Sequence, residues 1–136
     1  MTTQLLNPAA LPHVPIYHQV AVTDGARTIY VAGQVAVDAD GTRIGDGDLA
    51  AQVAQVYLNL HAALAAAGAR LSDLVKVTAY LVDWRPEKMA DVRDGMERAA
   101  RALGVEVSLP PLTGVGVAAL AEPGLLVEVD GVAVLP

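Results

Sequence analysis

Few side chains in this chain are equipped for chemistry. It has no cysteine, which excludes thiolate nucleophiles, disulfides and Cys-ligated zinc. Ser72 and Ser108 have no evident activating partner. His13, His18 and His61 fall on an arm, a strand and a helix, and form neither an HxH nor an i,i+4 pair, so no metal site is expected. Asp38, Asp40, Asp46 and Asp48 cluster, but their spacing does not fit an EF-hand and reads as a solvated turn. There is no Walker loop, no GxGxxG and no GxSxG. Glu128 remains, in Leu126-Val127-Glu128-Val129-Asp130. A carboxylate partly buried at an interface has its pKa raised toward the range where it takes a proton from water. The plainer alternative makes Glu128 and Asp130 the solvated face of an alternating strand.

Several elements must position that carboxylate. Residues 1–15 carry Pro8, Pro12 and Pro15 and read as an irregular arm. Ile16 to Val22 and Arg27 to Val37 read as strands, with a turn signal at Asp24-Gly25. Asp48 is a plausible N-cap for a helix whose Leu49, Val53, Val56, Tyr57, Leu60 and Leu64 recur at helical spacing, with Gly68 as its C-terminal signal. Leu74 to Val82 alternates, with Val75, Val77, Ala79 and Leu81 on one face and Lys76, Thr78 and Tyr80 on the other. A second helix starts near Pro86 and closes at Gly104. Gly114 to Ala119 and Leu125 to Val134 read as two final strands. The order is β-β-α-β-α-β-β. It predicts an α+β fold, a two-layer domain with a mixed β-sheet and two helices on one face.

The chain has 136 residues, which fits one domain, and 54% of them are hydrophobic. So small a domain has much surface relative to its core. The excess apolar content predicts that the bare sheet face is buried against neighbouring subunits. No run approaches the roughly 18 apolar residues of a membrane span, and the first six residues lack the features of a secretory signal. A cytoplasmic protein is the expectation. The formal net charge is -6 with nine Lys and Arg. Arg93, Arg98 and Arg101 are interleaved with Asp94 and Glu97, so the phosphate-neutralising cluster that nucleic acid needs is missing. Nucleic acid is not expected as a partner.

Ser108-Leu109-Pro110-Pro111-Leu112-Thr113-Gly114-Val115, followed by Val127-Glu128-Val129-Asp130, resembles the signature of the RidA/YjgF family. Tyr30-Val31-Ala32-Gly33-Gln34, the stretch Ala66 to Thr78 and Met89-Ala90-Asp91-Val92-Arg93 are similar to other segments of that family, in its order and spacing. The family also carries the name L-PSP endoribonuclease. The resemblance implies a chorismate-mutase-like trimer, with clefts between subunits where best-known members hydrolyse reactive imines and enamines without a cofactor.

Carried over by position, Tyr17, Gly33 and Glu128 line the cleft, and Glu128 positions or deprotonates the attacking water. Ala32 stands where the family has serine, Arg93 where it has asparagine, and Leu112 where it has the arginine that grips the substrate carboxylate. Thr113 is a candidate polar contact beside Leu112. Losing one partner of such a charge pair costs ~2–5 kcal/mol. The expectation is a RidA-like hydrolytic enzyme for an imine, enamine or related carbonyl metabolite, not ordinary 2-aminoacrylate deamination. The alternatives are a non-catalytic trimer that binds a metabolite or a protein, and an endoribonuclease. Arg93 either supplies the missing cation or is a solvated helix arginine paired with Asp94 or Glu97.

Overall fold

A computed structural model of the protein describes residues 3–136. Among them are six strands and two α-helices, in the order β1 (Thr3–Leu6), β2 (Val20–Thr23), β3 (Arg27–Gln34), α1 (Leu49–Ala66), β4 (Leu74–Val82), α2 (Met89–Leu103), β5 (Leu112–Val117) and β6 (Val127–Leu135). Four strands form one mixed sheet in the spatial order β3-β6-β4-β5. β6 is antiparallel to both β3 and β4, and β5 is parallel to β4. A parallel pair needs a long crossover, and α2 lies in it. This is the α+β architecture expected. No helix among the described residues is long and apolar enough to cross a membrane.

Local chemistry sets the helix ends. The Asp48 side chain accepts from the Ala51 N–H at 3.0 Å and so caps α1. Pro86 opens a 3-10 turn that leads into α2, and Gly104 ends α2 in the left-handed region at φ 68°. The helices meet at Gly95, where a Cβ would lie 2.5 Å from the Cβ of Val53 and 2.6 Å from the Ala50 carbonyl oxygen. Leu60, Leu64, Val56 and Val53 of α1 join Val77, Val127 and Val129 of the sheet in one buried cluster. The buried polar residue there, Gln52, is 0% exposed and fully used. Its Nε2 donates to the Gly45 and Gly124 carbonyls and its Oε1 accepts from the Leu126 N–H. It fastens two long loops to α1, as a buried amide must if it is not to cost stability.

Three expectations are corrected. The N-terminal arm is not irregular throughout, because Thr3–Leu6 pairs antiparallel with Val20–Thr23 in a separate two-stranded sheet. The second strand is therefore shorter than Ile16 to Val22 and lies outside the main sheet. On β4 the register shifts between Leu74 and Lys76, which buries Leu74 and leaves Val75 half-buried. One extra residue at an irregularity reverses the face that simple alternation assigns. From Val77 onward the alternation holds.

Candidate active site on the open face of the sheet

Glu128 lies on β6 between buried Val127 and Val129, so it projects from the face opposite the helices. Its cross-strand partner on β4 is Tyr80, and Asp130 faces Thr78. On the other side β3 pairs Val31 with Gly131 and Gln34 with Val129, so Ala32 and Gly33 together oppose Asp130. This bulge brings the Gly33 backbone against the Glu128 carboxylate. A Cβ at Gly33 would sit 2.1 Å from Oε2 of Glu128, so the absence of a side chain there lets the carboxylate lie against the strand. Glu128 is half-buried and has no hydrogen bond or ion pair among the described residues.

The Tyr80 hydroxyl donates to Oδ2 of Asp130 at 3.3 Å. The Asp130 charge above all, then burial, that hydrogen bond and the Glu128 charge push the phenol above its usual pKa of 10. Tyr80 therefore stays a neutral donor at neutral pH. Thr113 is exposed on β5 and accepts from Lys76 Nζ at 2.7 Å, while Lys76 also donates to the Val77 carbonyl. The ammonium on this face is thus engaged by neutral oxygens. Among the described residues the face offers an unengaged carboxylate, a second carboxylate held by a phenol, and no pre-formed cation partner for either. Among the described residues no three His, Asp or Glu side chains gather as metal ligands.

Residues 8–135 match the Endoribonuclease L-PSP family. The chain belongs to that family, the RidA/YjgF family. A RutC family protein of Synechocystis is 33% identical over all of this chain and 99% of its own. The rat protein named 2-iminobutanoate/2-iminopropanoate deaminase is 32% identical over 87% of this chain and 79% of its own. The crystal structure of the Rid family protein YyfB from Yersinia pestis superimposes with a TM-score of 0.86 at 34% identity, covering 99% of this chain and all of that one.

Within this Rid-family chain the residues nominated from sequence fall in three places. Glu128, Gly33, Ala32 and Thr113 belong to the open face or its edges. Tyr17 and Leu112 instead line a cavity of about 230 Å³ between the sheet and the helices, with Ile16, Tyr57, Trp84 and Val127 among its walls. Leu112 lies two strands from Glu128, which is about 10 Å of lateral spacing, and on the other face. One chain does not bring these two residues together. The Tyr17 segment is tied down by His18, whose backbone N–H and ring Nδ1–H both donate to the Leu109 carbonyl, the ring at 2.7 Å.

Arg93 is exposed on α2, beside a shallower pocket that it lines with Ile16, Glu97 and Leu109. Among the described residues it pairs with neither Asp94, which takes Arg98 at 2.7 Å, nor Glu97. It is not part of the Leu112 cavity. Tyr80, Asp130 and Lys76 are not among the site residues that the sequence nominates, although alternation places Lys76 and Tyr80 on one face of β4. The missing information was which strand lies beside which. Asp38, which suggested calcium superficially, accepts from the backbone N–H groups of Asp40 and Thr42 and organises its own turn.

Proposed function

We propose that the protein is a cytoplasmic RidA-like enzyme, working as a homotrimer, that hydrolyses a small imine or enamine at a cleft between subunits. The observation that carries this reading is the half-buried Glu128 carboxylate, free of partners among the described residues and held against Gly33. Such a group can accept a proton from water. An enamine enters as its imine tautomer. Water oxygen bonds to the imine carbon as Glu128 takes its proton, the C=N π pair moves to nitrogen, and Glu128 passes the proton to that nitrogen. The tetrahedral adduct then collapses, breaking the C–N bond and releasing an amine or ammonia with the carbonyl product. The deaminase name carried by the rat relative supports this reaction class. No cofactor takes part in these steps.

Leu112 bears on the substrate. Among the described residues the cavity that it lines holds no charged side chain. A substrate carboxylate would lose a partner worth ~2–5 kcal/mol, roughly thirty-fold to several-thousand-fold in affinity. The natural substrate is therefore one that does not depend on such a contact, and 2-aminoacrylate is a poor one.

The test is ammonium release from 2-aminoacrylate generated in situ from serine, with wild type, Leu112→Arg and Glu128→Gln. Leu112→Arg should gain activity over a slow wild type, and Glu128→Gln in that background should remove it. Full wild-type activity would overturn the reading of Leu112. Activity that survives Glu128→Gln would overturn the role of Glu128.

A second reading is a non-catalytic trimer that binds a small metabolite or a protein partner. The uncharged cavity favours metabolite binding, since it carries no acid or base for hydrolysis. Binding without turnover in every variant would select it. An endoribonuclease is disfavoured by the negative charge and the missing basic cluster.

A further inference from the structure

The lining of the cavity between sheet and helices specifies a ligand more closely than the open face does. Among the described residues its walls contain no Asp, Glu, Lys, Arg or His. An apolar cavity of about 150 Å³ stays dry and holds benzene. A volume of about 230 Å³ therefore suits one ring with a short substituent. Three polar groups interrupt the apolar lining: the hydroxyls of Tyr17 and Tyr57 and the indole N–H of Trp84. Among the described residues none of the three has a hydrogen-bond partner. Tyr57 is 7% exposed, and burial pushes its phenol up to about 12. It is a neutral donor with no protein acceptor, and its oxygen is not fully buried, so it stays accessible to water or to a ligand acceptor. The exposed Gly114 and Gly116 of β5 also line the cavity and add no side chain to it.

We infer that this cavity binds a neutral, monocyclic compound carrying one hydrogen-bond acceptor, such as a cyclic ketone. The ring lies against Leu112, Leu81, Val127 and Val129, and the acceptor takes the Tyr57 hydroxyl. The inference rests on the preceding reading only in treating Leu112 and Tyr17 as ligand-facing. It makes no use of Glu128.

Trp84 is the only tryptophan of the chain and lines the cavity, so its emission reports occupancy of the unmodified protein. The probes are cyclohexanone and cyclohexanecarboxylate, which share a ring and differ in charge. Cyclohexanone should shift the emission maximum saturably, which separates occupancy from collisional quenching. Cyclohexanecarboxylate should bind at least tenfold more weakly. Leu112→Arg should reverse that order, and Tyr57→Phe should weaken cyclohexanone at least fivefold.

Gly114→Leu is the blocking variant. A Cβ at Gly114 meets nothing within 4 Å, so the new side chain has room to fill the cavity. It should keep the far-ultraviolet circular dichroism and abolish the saturable response. Equal affinity for the two probes, or an unchanged response in Gly114→Leu, would overturn the inference. Glu128→Gln should leave cyclohexanone binding untouched. Saturable binding with no ammonium release from any variant would sink the Glu128 reading and spare this one. Release without saturable binding would do the reverse.

Discussion

Val127 and Glu128 are neighbours on one strand and live in opposite environments. The side of the sheet bearing Val127, Val129, Val77 and Leu81 is covered by α1 and α2, and its buried cluster has no charged side chain among the described residues. The side bearing Glu128, Asp130, Tyr80 and Lys76 is open and half-buried, and its polar groups are few and close together. The difference separates two tasks. The helix side supplies stability through burial, at about 25 cal/mol for each Å² of apolar surface. The open side contributes little to the stability of one chain, which leaves its residues free to be chosen for chemistry or for contact with another chain. Tyr30, 80% exposed on β3, illustrates the second possibility.

The sharpest contrast between the faces is Leu60→Ala against Tyr30→Ala. Leu60 is 0% exposed within the helix–sheet core. Its truncation should cost about 2–5 kcal/mol in urea unfolding. Tyr30→Ala should change the unfolding of the isolated chain by no more than about 0.5 kcal/mol. If the open face is covered by other copies, Tyr30→Ala should instead weaken assembly, read by sedimentation against protein concentration. A loss at Tyr30 that equals the loss at Leu60 and does not depend on concentration would break the comparison.

Next in size is an alkaline effect on the closed side. Tyr57 has its pKa raised to about 12 by burial, against 10.0 for the ordinary phenol. The folded chain holds this proton more tightly, so the associated stability is complete below pH 10 and falls between pH 10 and about 12. Two units at 1.36 kcal/mol each amount to roughly 3 kcal/mol. Denaturation series across this window should show the wild type losing stability steeply. Tyr57→Phe should lose less, with little penalty at pH 7 because the hydroxyl has no partner to lose. Parallel slopes for the two proteins would mean that another group sets the alkaline loss.

Gln52→Leu should cost somewhat less. The amide satisfies the Gly45 and Gly124 carbonyls and the Leu126 N–H. Gly124 is exposed and Gly45 half-buried, so water can reach those carbonyls once the amide is gone. The Leu126 N–H is the harder group to satisfy. One dry, unpaired group costs about 1–3 kcal/mol. Hydrogen exchange should also quicken in both loops while α1 keeps its protection. Uniform loss of protection would mean that Gln52 supports the whole core.

Sequence reading recovered what is periodic or capped. Asp48, Gly68 and Gly104 mark helix ends by local chemistry, and the alternation of β6 puts Glu128 opposite Val127 without any coordinates. Pairing is where it ran out. Thr3–Leu6 is too short to show a period, and its partner begins fourteen residues after it ends. Alternation says which residues share a face of one strand, but not which strand lies beside it, so Tyr80 and Asp130 were not joined to Glu128. Nor does likeness to a family reveal that Leu112 faces the helices in the single chain while Glu128 faces away. The bulge at Ala32 and Gly33 breaks the alternation and has no compositional mark except the glycine.

That glycine provides the smallest predicted change in stability and the most specific one. Gly33→Ala puts a methyl group where Oε2 of Glu128 now lies. The obstacle is the far end of a flexible side chain, so the carboxylate can swing aside instead of the strand moving. Unfolding should shift by less than about 1 kcal/mol. Catalysis is less tolerant, since about 1 Å of misplacement can cost 10²-fold. In the Leu112→Arg background, kcat should therefore fall by one to two orders of magnitude. Gly33→Ala should approach the residual rate of Glu128→Gln, and combining the two should add little. Full activity in Gly33→Ala would mean that the carboxylate works from elsewhere. Loss of folding and activity together would make the bulge a structural element of the sheet and leave the open face without the division of tasks argued above.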